Sequence, residues 1–273
     1  MEIHHTQANQ KIFLFFRALS TYLLFIGIVF INFITAQEMP RKLEPLHQPF
    51  DEILMKYVHG TTFDYEKLYH TPEDVNKLDH YIHTLEEINP DTLSRSKALA
   101  YWINLYNAAT LQLVIHHYPV KSIKEIKKWL IFPPWFIDVV TVKGEKLNLF
   151  EIEHGIIRKE FRDSRIHFAI NCASRGCPPL WNHAYSGENI KQELEEATYR
   201  TLHDSRWVAI TEDAIRLTKI FEWYEADFKK DAGSIRKFLV RYLPEKQNIL
   251  FNPNIPLEYM DYDWSLNQSK NHP

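Results

Sequence analysis

Residues 94–117 read SRSKALAYWINLYNAATLQLVIHH, and this stretch decides the fold. Ala98, Tyr101, Trp102, Leu105, Ala108, Ala109, Leu111 and Leu113 lie on nearly every side of a helical wheel. A helix that is apolar all round has no solvent face, so it must be buried by other elements. Two amides, Asn104 and Asn107, sit inside this run and need hydrogen-bond partners there. The helix is expected to stop at Tyr118, because the ring of Pro119 disfavours helical backbone at the residue before it.

The elements on either side are those that cover such a helix. Upstream, Ile53, Leu54, Tyr57 and Val58 have one-face spacing from Asp51 onward, and a second helical stretch lies around Val75–Leu85. Downstream, Phe132-Pro133-Pro134-Trp135 is a rigid turn, and Phe136–Val142 reads as a strand closed by a turn over 142–146. Asn148 and Glu151 have the spacing of a capping box, opening a helix that turns Ile152, Ile156, Ile157 and Phe161 inward. Arg165–Asn171 alternates and reads as a strand, with Ile166, Phe168 and Ile170 on one face and His167 on the other. It runs into a loop, Cys172–Pro179. A helix (188–202), two short strands (207–211 and 214–217) and two helices (221–228 and 234–242) follow. With no regular strand–helix–strand rhythm, the class is α+β: buried helices packed on a small, mainly antiparallel sheet.

The 273 residues divide into a leader, a short lead-in and one domain. Lys11 and Arg17 precede a charge-free run from Ala18 to Ala36 that contains LLFIGIVFINFITA. A basic stretch, an apolar core and a small residue are the parts of a secretory signal peptide, so residues 1–36 are expected to be cleaved. The alternative is an uncleaved anchor over 18–36, the only circumstance in which a membrane is an expected partner. Export to the periplasm or medium follows. Residues 37–50 read as an exposed lead-in, 51–267 as a single domain and 268–273 as a tail. The net charge of −3 gives no basic footprint, so nucleic acid is not an expected partner.

Five blocks resemble a known family. They are Ala100-Tyr101-Trp102-Ile103-Asn104-Leu105-Tyr106-Asn107-Ala108, Ile152-Glu153-His154-Gly155-Ile156-Ile157-Arg158, and Arg165–Cys172 continuing to Cys177-Pro178-Pro179-Leu180. Ile220–Tyr224 with Asp227-Phe228, and Tyr262–Asn267, complete the set. In this order they resemble the domain of unknown function 547 family over roughly 51–267. The resemblance implies cysteine at position 172 and either cysteine or serine at 177. It implies little about activity.

The chemistry must come from the residues. Cys172 ends a predicted strand and opens a loop, where a nucleophile can be both held and reached. A thiol attacks only as thiolate, so it needs a base or a cation nearby. His154 on the preceding helix is the expected base, and Glu153 or Asn104 the group that orients it. Asn107, Arg158 and Arg175 are the expected substrate contacts. The expectation is a thiol-dependent hydrolase or acyl transferase acting on an amide, ester or thioester of a small molecule or peptide. The competing reading is a non-catalytic binding module in which Cys172 is a small buried hydrophobe and the asparagines serve the backbone. Trp102, Trp135, Trp223, Tyr224 and Trp264 either line a groove or pack in the core. Cys172 and Cys177 are the only cysteines, and export would let them pair. His167, Cys172, Cys177 and His183 fit no standard zinc spacing, so neither metal nor cofactor is expected.

Overall fold

The long helix is where the sequence places it. In the computed structural model, which describes residues 42–127 and 131–269, it runs Arg95–Ile115. Ser94 caps it by accepting a hydrogen bond from the Lys97 amide. From Leu99 to Ile115 every residue but Gln112 is buried. Around it pack α1 (Gln48–Tyr57), α2 (Tyr65–Tyr69) and α3 (Pro72–Glu86), which makes the Arg95–Ile115 helix α4. Strands β1 (Val58–His59) and β2 (Thr62–Phe63) form a two-residue ladder between α1 and α2.

Next comes an antiparallel hairpin of β3 (Asp138–Val142) and β4 (Glu145–Asn148). Its two-residue turn puts Lys143 at φ 56° and Gly144 at φ 79°, the left-handed pair that a tight hairpin of this length requires. Asn148 and Glu151 then form the expected reciprocal cap. The Glu151 amide donates to Asn148 Oδ1 at 2.9 Å, and the Asn148 amide to Glu151 Oε2 at 3.0 Å.

The helix that follows, Glu151–Phe161, is wound as a π-helix rather than an α-helix. Its two fully buried isoleucines, Ile152 and Ile157, stand five residues apart, which is the i→i+5 spacing of that winding. Ile156 and Phe161 are partly buried.

The expected strand over 165–171 does not form. Ser164–Phe168 is a 3-10 helix capped by Asp163, followed by irregular backbone. Ile166, His167, Phe168, Ala169 and Ile170 are all buried, so the alternation has no solvent side to match. Beyond the short-range bonds of its own turns, the segment's backbone is tied to α4 by a side chain. Asn107 Nδ2 donates to the Ala169 carbonyl, and the Asn171 amide donates to Asn107 Oδ1, both at 2.9 Å.

The rest forms a second lobe: α5 (Ile190–Leu202), α6 (Ile220–Trp223), α7 (Glu225–Ala232), α8 (Ile235–Tyr242) and α9 (Gln247–Leu250). Its three-stranded sheet pairs β5 (Val208–Ile210) antiparallel with β6 (Ile215–Leu217), and β6 parallel with β7 (Leu257–Tyr259). Phe168, Phe221, Phe228 and Phe238 fill its centre. The class is α+β, with mainly antiparallel pairing.

Two boundaries differ from expectation. The lead-in is not exposed throughout, since His47 and Phe50 are buried and α1 begins inside it. The tail begins ordered: the Ser269 amide donates to the Phe63 carbonyl. The leader and anchor readings of residues 1–36 lie outside the described residues. Among the described residues no helix is long and apolar enough to cross a membrane.

Candidate functional site

The two lobes meet at a cavity of about 410 Å3. Tyr106 and Ile170 face it from the first lobe, and Ile220 and Tyr224 from the second. Its mouth is aromatic: Phe136, Phe150 and Trp223 are exposed, and Trp135, Tyr262 and Trp264 pack beside them in edge-on and tilted contacts. Cys172, Cys177, Glu153, His154 and His167 supply the chemistry inside.

Cys172 is partly exposed and Cys177 is buried, and both are free thiols. Their sulfurs lie 2.9 Å apart, and the Tyr262 hydroxyl is 3.1 Å from Cys172 Sγ. When Cys172 is ionised its sulfur can only accept, so the S–H of Cys177 and the O–H of Tyr262 both donate to it, which is what a thiolate needs. The Cys177 hydrogen bond is the largest influence on Cys172. Together with donation from Tyr262 it outweighs burial and lowers the thiol to about 7. Burial pushes the Cys177 thiol well up, so Cys177 is the partner that keeps its proton.

A strained turn presents this sulfur. Ala173 has φ 61°, a left-handed conformation that a residue with a Cβ seldom adopts. One side chain and one backbone group clamp it: the Ala173 amide donates to Asn171 Oδ1 at 2.8 Å, and the backbone N–H of Asn267 donates to the Ala173 carbonyl at 3.0 Å. Strain held by its surroundings clusters at functional sites. The loop packs tightly on Tyr262, for a Cβ on Gly176 would stand 2.9 Å from the Tyr262 ring and from the Asp263 amide nitrogen. Gly176→Ala is therefore expected to push Tyr262 off Cys172. An upward move in the pH midpoint of Cys172 alkylation, with the fold retained by circular dichroism, is the result to look for.

Opposite the sulfur lies a connected polar network. Glu153 accepts from the Tyr224 hydroxyl at 2.5 Å and from the Tyr106 hydroxyl at 3.3 Å. His154 Nε2 lies 3.9 Å from Glu153, while its Nδ1 accepts from the Arg158 guanidinium at 2.6 Å. That donor leaves neutral His154 with its proton on Nε2. Burial lowers the pKa of His154. Arg158 also donates to Asp227 at 2.7 Å. His167 Nε2 lies 2.8 Å from the same Asp227 oxygen. Burial would raise the Asp227 carboxyl, but the His167 and Arg158 hydrogen bonds hold it well below the usual carboxylate range. With Asp227 ionised, His167 donates through Nε2, and its buried Nδ1 has no hydrogen-bond partner among the described residues. Burial lowers the pKa of His167, outweighing the Asp227 hydrogen bond that raises it. Its ring stacks on Tyr224 at 3.8 Å.

The expected roles are redistributed accordingly. Cys172, His154 and Glu153 do share one cavity, but no imidazole is among the hydrogen-bond partners of Cys172. Asn104 does not orient His154, because both ends of its amide are taken by the Tyr185 backbone. Asn107 is likewise committed to the 169–171 backbone and cannot contact substrate. Arg175 donates to the Leu266 and Gln268 carbonyls and ties down the C-terminal segment. Arg158 acts behind the cavity, through His154 and Asp227. His183 lies near Asp51, away from the cysteines, and among the described residues no group of three or more His, Cys, Asp or Glu could hold a metal.

Sequence reasoning passed over the most telling residues. The period-2 pattern places His167 on the far face of a strand, but the segment is a 3-10 helix and His167 lines the cavity. Tyr262 and Asp227 lie 90 and 60 residues from their partners, beyond any local pattern. Their one sequence signal is that Asp227 and Tyr262 fall in the aromatic-polar blocks near the end of the chain.

Residues 90–200 match the model of a family described as protein of unknown function, DUF547. The match runs from the start of α4 through the cysteine loop to α5, and does not extend to Tyr224, Asp227 or Tyr262. No curated protein and no solved structure matches the chain.

Proposed function

The chain belongs to the DUF547 family, and we propose that its cavity is the active site of a thiol-dependent hydrolase or acyl transferase for an amide, ester or thioester. The observation that carries this is the state of Cys172: a partly exposed sulfur, on a strained turn, facing a ligand-sized cavity with two donors aimed at it. Such a sulfur is about half thiolate at pH 7 and in that form needs no base to attack a carbonyl carbon.

The imidazoles then serve the later proton transfers. His167, oriented by Asp227 and with Nδ1 unpartnered, has the make-up of a base for the water or acceptor that releases the acyl group. His154, held by Arg158 as the Nε2–H form, is a donor rather than a base. The aromatic mouth suits an apolar or ring-bearing acyl group. A binding module that holds such a group without turnover would use the same walls.

Alkylating the reduced native chain with iodoacetamide from about pH 5 to about pH 9 tests the nucleophile. The expected result is modification of Cys172 with a midpoint near 7. Reaction only after unfolding would overturn the reading. A small acyl thioester then separates enzyme from binding module. Turnover is expected to vanish in Cys172→Ala and to fall about a hundredfold or more in His167→Gln, with alkylation of Cys172 retained in the latter. Binding of the thioester without turnover would favour the module. We also propose export; N-terminal sequencing of the cell-derived protein should then begin at Gln37, after Ala36.

A further inference from the structure

We infer that Cys172 and Cys177 also form a dithiol–disulfide exchange site whose substrate is a small-molecule disulfide. Their sulfurs are 2.9 Å apart, and a disulfide requires about 2.05 Å, so a shift of less than about 1 Å closes the bond. The two thiols are also unlike, and in the order that exchange needs. Cys172 faces the cavity and is partly exposed, whereas Cys177 is buried behind it. An incoming disulfide can therefore meet only Cys172.

The loop is built for the second step as well. The Cys172 amide donates to Cys177 Sγ at 3.1 Å, a hydrogen bond that stabilises charge on that sulfur when its proton leaves. Trp207 Nε1 donates to the Cys177 carbonyl at 3.1 Å and the Cys177 amide to the Ser174 carbonyl, which keep the sulfur aimed at Cys172.

The steps balance without another co-reactant. The Cys172 thiolate attacks one sulfur of R–S–S–R, a Cys172–S–S–R bond forms, and R–S⁻ leaves. The proton of Cys177 passes to that leaving thiolate. Cys177 sulfur then attacks Cys172 Sγ, the second R–S⁻ departs, and the intramolecular disulfide remains. Two electrons have moved from the dithiol to the substrate. This inference shares with the proposed acyl chemistry only the reactivity of Cys172, and the oxidised form lacks the nucleophile that chemistry uses.

The test treats the reduced full chain with 2-hydroxyethyl disulfide and follows intact mass. Wild type is expected to end lighter by two hydrogens, carrying no hydroxyethylthio group. Its Cys172 alkylation rate should fall at least about a hundredfold, because a disulfide sulfur has no thiolate, and dithiothreitol should restore it. Cys177→Ser should stop at the mixed disulfide, gaining one hydroxyethylthio group. Wild-type mass decides the matter even if that variant does not fold. Wild type that accumulates the mixed disulfide, or that stays reduced while iodoacetamide still alkylates Cys172, overturns the exchange inference and leaves the acyl reading standing. Failure of both reagents on the native chain overturns both.

Discussion

Replacing Cys177 by alanine should move the alkylation midpoint of Cys172 from near 7 up toward that of an ordinary thiol, by about one to two pH units. The sign follows from which state is stabilised. The S–H of Cys177 donates to the ionised form of Cys172, so its removal makes ionisation harder. Tyr262 still donates in the variant, which keeps the shift below its limit. The change in rate is smaller than the change in midpoint. At pH 7 a two-unit rise cuts the thiolate fraction about fiftyfold, but the less acidic thiolate is intrinsically more nucleophilic, returning roughly eightfold. A net fall of about sixfold at pH 7, with a higher plateau at alkaline pH, is the expected profile. Tyr262→Phe should give the same shape with a smaller shift, because its hydrogen bond ranks below that of Cys177. An unmoved midpoint in Cys177→Ala would mean that the sulfur pair does not set the charge of Cys172, and with it the main support for a nucleophile would go.

What the sequence discloses about this site, and what it hides, follows from the range of the interactions. The buried α4 is legible because its apolar residues leave no polar stripe, and the Asn148–Glu151 cap because both partners lie within one turn. The cysteine loop is legible from composition alone. By contrast, the 165–171 strand is a period-2 pattern in a segment buried on every side, so alternation carries no information about faces. Period 2 puts His167 on the opposite face from Cys172, whereas the folded segment turns both into one cavity. The π-winding of Glu151–Phe161 is hidden in the same way, since Ile152, Ile156 and Ile157 fit an α-helical face as well as a wider one. It matters to the site because helical spacing alone sets Glu153 and His154 about 100° apart, whereas here both line the cavity. Tyr262, which donates to the sulfur, and Asp227, the acid behind His167, come from far along the chain, and only tertiary packing brings them in. The asparagines show the opposite lesson: a polar residue in a buried helix looks catalytic in sequence and is more often there for the backbone.

Asn107→Ala should be among the most destabilising single substitutions in the chain, costing about 4 kcal/mol. Asn107 is 2% exposed and satisfies two backbone groups of the segment that leads into Cys172. Alanine leaves the Ala169 carbonyl and the Asn171 amide buried without partners, at about 1–3 kcal/mol each. It also opens a small void beside α4, where close packing prevents full collapse. For a domain of this size the loss corresponds to a fall in Tm of roughly 10 °C in a thermal melt. The functional consequence should appear before unfolding does. Asn171 Oδ1 accepts from the Ala173 amide and so clamps the left-handed turn that presents Cys172, and the Asn107 side chain anchors the Asn171 backbone. With the anchor gone, the turn can relax to ordinary backbone and the sulfur can leave its two donors. At 25 °C the folded variant should therefore show a Cys172 alkylation midpoint nearer that of a free thiol, alongside the lowered Tm. A variant that melts early but keeps its midpoint near 7 would place the clamp on Ala173 entirely with Asn267 and Asn171, independent of α4. Full stability in Asn107→Ala would contradict the assignment of this amide to the backbone and reopen its role in the cavity.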